Sequence, residues 1–231
     1  MKDTLLVLSG GMDSTTMLYE FADRIAAAVT FDYGSNHNAR ECKCAEASCR
    51  RLGIEWICIP LEFMKRYFRS ALLDGPGAIP LGDDYNAENM AATVVPFRNG
   101  IMLSIAAGLA QSLGLTTVML ANHSGDHHIY PDCRPAFVSA MNSAISEGTG
   151  EKVVLEAPYT HLTKNEIAIR GAKIGVDYSL TYSCYCGGER HCGRCATCRE
   201  RAEALAAAGL PVDCLPLADD HAADTTPTAQ A

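Results

Sequence analysis

Short apolar runs alternate with segments of helical composition along most of the chain. The predicted strands are residues 4–8, 25–33, 54–59, 115–121 and 152–156. Helices are predicted between and after them, at about 13–24, 36–52, 99–113, 134–147 and 163–174, with a further one that ends near 208. Strands that are joined through helices run parallel, and helices cover both faces of the sheet. The sequence therefore predicts an α/β fold with a doubly wound parallel sheet.

Composition narrows the possible functions. The 231 residues are 48% hydrophobic, which is enough for a buried core and excludes a chain that is disordered throughout. The formal net charge is −8, whereas proteins that bind a phosphate backbone usually carry a basic face, so we expect no direct nucleic-acid partner. No apolar run approaches the roughly 20 residues of a membrane span, and the run at 5–8 is too short for a secretory signal. We expect no membrane association and a cytoplasmic location.

A loop rich in glycine and hydroxyl groups, SGGMDS at residues 9–14, follows the first predicted strand. It precedes a helix whose N-terminal N–H groups would attract an anion, and glycines let a phosphate approach the backbone closely. We interpret this loop as a pyrophosphate site, with Asp13 either capping the helix or holding Mg²⁺. The alternative is an ordinary Gly-Gly turn before a helix that Asp13 or Ser14 caps. The loop is not a Walker A motif, because no lysine follows Gly11.

Cysteines with metal-ligand spacing are concentrated near the C-terminus. They are Cys184, Cys192, Cys195 and Cys198. Four thiolates suit tetrahedral Zn²⁺, and short C-x-x-C links let neighbouring sulfurs converge on one ion. We predict a structural zinc site rather than disulfides, which are rare in the cytoplasm. Cys186 and His191 lie in the same segment and could replace a ligand, and a redox or sulfur-carrying role of the C-x-x-C pairs is the alternative.

Both features resemble those of known enzymes. Ser-Gly-Gly-x-Asp-Ser after the first strand resembles the PP-loop of the ATP pyrophosphatases, which have an adenine nucleotide alpha hydrolase-like fold and cleave ATP between its α and β phosphates. Further stretches resemble one family, the 7-cyano-7-deazaguanine synthases, known as QueC. The stretches are LSGGMDSTTML at 8–18, VPFRNG at 95–100, YPDCRPAF at 130–137, LTKNEI at 162–167 and TYSCYCGGERHCGRCATCRER at 181–201.

The resemblance spans about residues 4–212 and implies an ATP-dependent carbon–nitrogen ligase of queuosine biosynthesis. Such an enzyme converts 7-carboxy-7-deazaguanine and ammonia to 7-cyano-7-deazaguanine. The carboxylate is adenylated, ammonia displaces AMP to give an amide, and a second activation of the amide oxygen leaves the nitrile. The resemblance also implies Mg²⁺ with ATP, one structural Zn²⁺ per chain and a homodimer.

The resemblance also assigns residues. The nucleotide-binding segment would comprise Leu8, Ser9, Gly10, Gly11, Met12, Asp13, Ser14, Thr15, Thr16, Met17 and Leu18. The zinc ligands would be Cys184, Cys192, Cys195 and Cys198. Of these four, Cys184 is assigned through the preceding Thr-Tyr-Ser.

Three further residues are candidate contacts of the substrate or of the phosphates. Arg98 could meet the ATP phosphates, or it could be a surface arginine at a helix start. Asp132 could accept hydrogen bonds from the purine-like ring, or it could cap the helix after Cys133. Lys164 could neutralise phosphate charge, or it could be an ordinary exposed lysine in a first helical turn.

Other functions remain open on the sequence alone. A tRNA thiolase would also pair a PP-loop with cysteines, although the acidic balance of the chain argues against it. A nucleotide-binding sensor with a zinc knuckle is a non-enzymatic alternative, and NAD or GMP synthetases match fewer segments. We predict a PP-loop domain at 1–180, a zinc-binding helical segment packed on it at 181–212, and a flexible tail at 213–231.

Overall fold

The computed structural model describes residues 2–82 and 90–214. Within these ranges, the strands are β1 (Thr4–Val7), β2 (Ile25–Asp32), β3 (Glu55–Pro60), β4 (Thr117–Met119) and β5 (Val154–Glu156). They pair in parallel in the order β3-β2-β1-β4-β5. The chain moves outward from β1 to β3 and then crosses to β4 on the other side, so the strand order reverses between β1 and β4. The predicted doubly wound parallel sheet is confirmed.

Helices connect the strands and extend past the sheet. They are α1 (Met12–Glu20), α2 (Asn38–Leu52), α3 (Glu62–Tyr67), α4 (Arg98–Ser112), α5 (Pro135–Gly148), α6 (Lys164–Lys173) and α7 (Ala196–Ala207). Gly53 ends α2 in the left-handed conformation, and a reciprocal capping box of Thr163 and Glu166 opens α6, both as predicted. In the described part of the chain, no helix combines the length and hydropathy needed to cross a lipid bilayer.

Alternate residues of β1 pack on opposite faces of the sheet. Leu5 joins one buried cluster, which includes Leu103 of α4, while Leu6 joins another with Met17 of α1 and Cys49 of α2. All of these side chains are completely buried. Burial of each such leucine stabilises the fold by about 1.5–3 kcal/mol. The continuous apolar run at the start of the chain is therefore explained by helices on both sides of the central strand.

The beginning of α1 differs from the prediction. Gly11 is the N-cap residue and no side chain caps the helix, so the expectation that Asp13 or Ser14 would do so is wrong. Ser14 is instead engaged by the loop before the helix, because its Oγ accepts from the Ser9 backbone N–H (3.2 Å) and lies 2.9 Å from Ser9 Oγ. Asp13 points to side chains that come much later in the sequence.

The C-terminal segment is anchored by Arg201 of α7, which is fully buried. Its guanidinium donates to both carboxylate oxygens of Asp213 (2.7 and 2.6 Å), to Thr181 Oγ1 (2.7 Å) and to the Tyr178 carbonyl (2.7 Å). Cys214 is also buried. Asp213 and Cys214, which the sequence analysis placed in the tail, thus pack against α7. The rest of that tail, 215–231, and residues 83–89 of the glycine- and proline-rich stretch before α4 lie outside the described residues.

Candidate active site

A cavity of about 210 Å³ opens at the carboxyl ends of the strands, where the strand order reverses. Open α/β sheets bind their ligands at this position, because the loops diverge there and leave a crevice. The walls come from the loops after β1, β2 and β4, from the first turns of α2, α4 and α6, and from the cysteine-rich segment. Lining residues include Ser9, Gly11, Asp13, Tyr33, His37, Glu41, Arg98, His123, Asp126, Lys164, Tyr185 and Glu200.

The glycine loop forms one end of this cavity and is held on two sides. A Cβ atom on Gly10 would collide with the carbonyl oxygen of Glu41, so α2 packs directly on the loop. From the other side, the Tyr182 backbone N–H donates to the Gly10 carbonyl (3.0 Å). Six residues of the predicted nucleotide segment line the cavity, namely Leu8, Ser9, Gly11, Met12, Asp13 and Ser14. Thr15, Thr16, Met17 and Leu18 are buried in the body of α1.

Charged side chains gather beside the loop. Lys164 Nζ lies 3.0 Å from Glu200 Oε2 and 3.5 Å from Asp13 Oδ2. His123 Nε2 lies 3.7 Å from Asp13 Oδ2 and 3.6 Å from Asp126 Oδ2. Burial alone would lower the pKa of Lys164, but Asp13, Glu200 and Asp126 hold it above its usual value. Lys164 is therefore a fixed ammonium group at the cavity wall rather than an exposed lysine of a first helical turn.

Arg98 stands in another wall, at the start of α4. Its Nη1 donates to Tyr33 Oη (3.2 Å), and its guanidinium lies 5.8 Å from the centre of the Tyr33 ring. Within residues 2–82 and 90–214, no carboxylate lies within ion-pairing distance of this guanidinium. A half-buried cation that has no counter-ion among these residues is suited to an anionic ligand.

His37 and Glu41 face each other across one turn of α2. Glu41 Oε2 lies 3.6 Å from His37 Nε2, and both side chains are largely shielded from solvent. Burial lowers the pKa of His37 to about 3, and the charge of Arg98 adds to this shift. Burial raises the pKa of Glu41 to about 8, and Arg98 opposes this shift. The imidazole is thus neutral at physiological pH, and the carboxyl group titrates far above its ordinary range.

The shifted pKa of Glu41 predicts a pH-dependent stability difference. The folded chain retains this proton up to about pH 8, whereas the unfolded chain loses it near 4.5. The stability contributed by the neutral carboxyl is therefore lost as pH rises through this window. Urea denaturation of wild type and Glu41→Gln at pH 5 and pH 8 should show that the free energy of unfolding of the variant, relative to that of the wild type, is higher at pH 8 than at pH 5. An equal difference in free energy of unfolding between the two proteins at both pH values would contradict a raised pKa of Glu41.

The side chain of Asp132 lies beside the first turn of α4, whereas a contact with the purine-like ring would require it to line the cavity. Its Oδ2 accepts from the Asn99 backbone N–H (2.8 Å), and its carbonyl accepts from the Asn99 side chain (3.1 Å). Asp132 is buried and does not line the cavity. It stabilises the first turn of α4, not the helix after Cys133, and thereby helps to hold the backbone that carries Arg98.

The cysteine-rich segment brings four sulfurs together. The Sγ atoms of Cys184, Cys192, Cys195 and Cys198 all lie within 4.8 Å of one another, which fits a single metal ion. Backbone N–H groups of Arg194 and Cys195 donate to Cys192 Sγ (3.4 and 3.2 Å), and such donors favour thiolates. His191 is engaged elsewhere, because its Nε2 accepts from the Ser183 N–H (3.2 Å) and its ring stacks on Tyr182.

Sequence reasoning missed the polar cavity wall that is formed after β2 and by the cysteine-rich segment. Tyr33, His37 and Glu41 follow the carboxyl end of β2, and Tyr185 lies between two cysteines of the metal-binding segment. A usable signal was present, because His37 and Glu41 are four residues apart and share one helix face directly after a strand. Tyr185 gave no comparable signal in the sequence.

The family of the chain is decided by its match to known proteins. A family model described as "Queuosine biosynthesis protein QueC" matches residues 3–209. The chain belongs to the QueC family. The expected membership is confirmed, and the glycine loop, Arg98, Lys164 and the cysteine cluster all lie within the matched range.

Curated relatives in the QueC family are similar over nearly their whole length. A 7-cyano-7-deazaguanine synthase from Porphyromonas gingivalis is 57% identical, over 91% of this chain and 95% of that protein. One from Desulfotalea psychrophila is 49% identical, over 89% and 94%. Among solved structures, an NMN synthetase from Francisella tularensis is 14% identical with a TM-score of 0.48, over 91% of this chain and 79% of that one.

Proposed function

We propose that this chain is a 7-cyano-7-deazaguanine synthase, a ligase that uses ATP to convert 7-carboxy-7-deazaguanine and ammonia into the nitrile. Membership of the QueC family and the names of its curated relatives support this activity. The observation that carries it is that one cavity brings together an uncapped helix N-terminus, a fixed lysine and Arg98, which has no carboxylate partner among the described residues.

The glycine loop and the start of α1 would bind the pyrophosphate part of ATP. The N–H groups of a first helical turn have no intrahelical acceptors, and here no side chain caps them. Lys164 adds a positive charge beside the loop. Both would stabilise the charge that pyrophosphate acquires as the substrate oxygen attacks the α phosphorus.

Arg98 would bind the carboxylate of the substrate. It offers a planar fork of donors, and Tyr33 and the helix start of α4 fix its position. Adenylation converts an oxygen that cannot leave into part of AMP, which can. Ammonia then displaces AMP to form the amide, and the same activation of the amide oxygen would lead to the nitrile after loss of two protons from nitrogen.

The Mg²⁺ that accompanies ATP would find a ligand in Asp13. Its Oδ1 is buried and, among the described residues, has no hydrogen-bond partner, as expected for an atom that serves a ligand. Asp126 lies nearby across His123 and could supply a second oxygen. When bound, Mg²⁺ neutralises phosphate charge. Asp13 in turn orients Lys164 and His123 at the cavity wall.

The cysteine cluster would hold Zn²⁺ for a structural purpose. Cys184, Cys195 and Cys198 are completely shielded from solvent, which does not suit sulfur transfer to a large substrate such as tRNA. This supports a synthase over a thiolase. The homodimer implied by the resemblance and the cytoplasmic location expected from the sequence stay predictions.

The proposed reaction is tested by mass spectrometry of the product. Purified protein is incubated with 7-carboxy-7-deazaguanine, ATP, Mg²⁺ and ammonium, and we expect 7-cyano-7-deazaguanine together with AMP and pyrophosphate. Omission of ammonium should prevent nitrile formation. Pyrophosphate release that does not depend on the deazapurine would exclude this activity.

Replacement of Arg98 should impair catalysis without unfolding the protein. We expect Arg98→Ala to lower kcat/KM by roughly 10- to 100-fold, because a charge-assisted hydrogen bond is lost. Arg98→Lys should restore little, since an ammonium group lacks the planar fork. Arg69→Ala, at an exposed arginine, is the control and should leave the steady-state rate unchanged. A near-native rate of Arg98→Ala would remove Arg98 from the site.

A further inference from the structure

Glu41 occupies a position that the activation chemistry leaves unexplained. It lies in the first turn of α2, and its backbone packs on Gly10 of the glycine loop. Its side chain lines the cavity and is only 13% exposed. The helix therefore delivers a carboxyl group to the interior of the site, close to the place where the reaction would occur.

Among the residues that the structure describes, the carboxyl of Glu41 forms no ion pair with a lysine or an arginine. The contact with His37 Nε2 is 3.6 Å long, and burial keeps the pKa of that imidazole near 3, so it is neutral. His37 Nδ1 is itself buried and, in the described part of the molecule, unpartnered. Buried polar groups normally pair with donors or acceptors, so this wall is suited to a ligand that supplies N–H groups.

The surroundings of Glu41 suit a flat heteroaromatic ring. Tyr33 holds Arg98 through its hydroxyl, and the hydroxyls of Tyr130 and Tyr185 lie 3.0 Å apart. All three tyrosines line the cavity. Aromatic side chains whose hydroxyls are already paired provide rigid apolar surface for a ring.

The donors of Arg98 and the oxygens of Glu41 match the two sides of 7-carboxy-7-deazaguanine. In this molecule the carboxylate and the ring carbonyl are acceptors on one side, and the adjacent edge carries the N1–H and 2-amino donors. Glu41 and Arg98 line the same cavity, so the two groups can meet neighbouring edges of one ring. We propose that Glu41 determines specificity by accepting hydrogen bonds from the ring N1–H and 2-amino groups. This inference rests on the proposed function.

The test measures binding of the ring rather than turnover. Calorimetry compares 7-cyano-7-deazaguanine with its analogue that lacks the 2-amino group, on wild type and on Glu41→Gln. We expect the wild type to prefer the aminated ring and Glu41→Gln to bind it roughly 10- to 100-fold more weakly, because the two N–H donors of the ring favour the ionised carboxylate and the variant cannot form these charge-assisted hydrogen bonds. The preference between the two rings should fall to less than about threefold in the variant.

Matched variants separate recognition from folding. Glu46→Gln removes a carboxylate of the same helix that pairs with Arg50 at the surface, and it should change neither ring affinity nor preference. ATP affinity of Glu41→Gln should stay within twofold of wild type, which shows that the loop is intact. If that variant does not fold, Glu41→Asp provides the same comparison, since a shorter carboxylate should also lose the preference.

The outcomes distinguish the two proposals. If the wild type forms the nitrile and Glu41→Gln keeps the full preference for the 2-amino group, only the assignment of Glu41 is overturned. If the wild type neither binds the ring nor forms the nitrile, the proposed function and this inference fail together.

Discussion

Gly10→Ala is expected to abolish measurable ATP binding and to lower the free energy of unfolding by more than about 3 kcal/mol. Gly10 has a φ of +90°, where a side chain is strained by about 1–2 kcal/mol. The larger part comes from its neighbours, because a Cβ would collide with the Glu41 carbonyl oxygen and lie 3.1 Å from the Ala45 nitrogen. Backbone atoms of α2 cannot rotate away as side chains do, so either the loop or the helix must move.

Gly53→Ala is the matched control for this variant. Gly53 also has a positive φ, of +62°, but nothing lies within 4 Å of the position of its Cβ. Gly53→Ala should therefore lower the free energy of unfolding by about 1 kcal/mol in urea denaturation, because conformational strain acts alone. Its ATP affinity by calorimetry should equal that of the wild type. Equal effects of the two substitutions would mean that α2 does not press on the glycine loop.

Cys195→Ser is expected to have the second large effect, the loss of the bound metal and of cooperative folding. Cys195 is completely buried, and it is both a member of the sulfur cluster and the N-cap residue of α7. Structural zinc contributes apparent free energies of about 10–16 kcal/mol in small metal-dependent folds, far more than typical domain stability. We expect zinc content to fall from about one equivalent to well below half an equivalent per chain.

The effect of Cys195→Ser should extend to the ATP site. Tyr182, two residues before Cys184, donates its N–H to Gly10. Metal analysis, circular dichroism and ATP calorimetry of Cys195→Ser should therefore show that metal content, folded structure and ATP affinity are lost together. Cys58→Ser, at an exposed cysteine on β3, should leave all three properties unchanged. A stably folded, metal-free Cys195→Ser protein that still binds ATP would contradict a structural role of the cluster and favour a redox or sulfur-carrying one.

The sequence was sufficient to predict the sheet and the position of the crevice. Alternating strands and helices leave few topologies, and a glycine loop after the first strand indicates where a ligand sits. The C-x-x-C spacing of Cys192, Cys195 and Cys198 was equally readable, whereas Cys184 was assigned through the resemblance, since Cys186 and His191 were alternatives in the same segment. Signals of this kind are local, so they do not depend on knowing the rest of the fold.

The partners of individual side chains could not be predicted, because they lie far apart along the chain. Lys164 is held by Asp13 and by Glu200, and Asp132 is taken up by the backbone of Asn99. Asp13 likewise does not cap its own helix, because its carboxylate faces His123 and Lys164, which come much later in the sequence. The importance of Glu41 emerges only when α2 is placed against Gly10, which no periodicity of the sequence encodes.

The pairing of Arg201 with Asp213 limits how many C-terminal residues can be removed from this enzyme. The family model stops matching at residue 209, ahead of the counter-ion. A protein truncated at that point would keep every cysteine of the cluster and the entire glycine loop. The buried guanidinium of Arg201 would, however, lose its counter-ion, which should lower the free energy of unfolding by about 3–5 kcal/mol. We therefore expect a stably folded form of this enzyme to extend past the last residue that the family model matches.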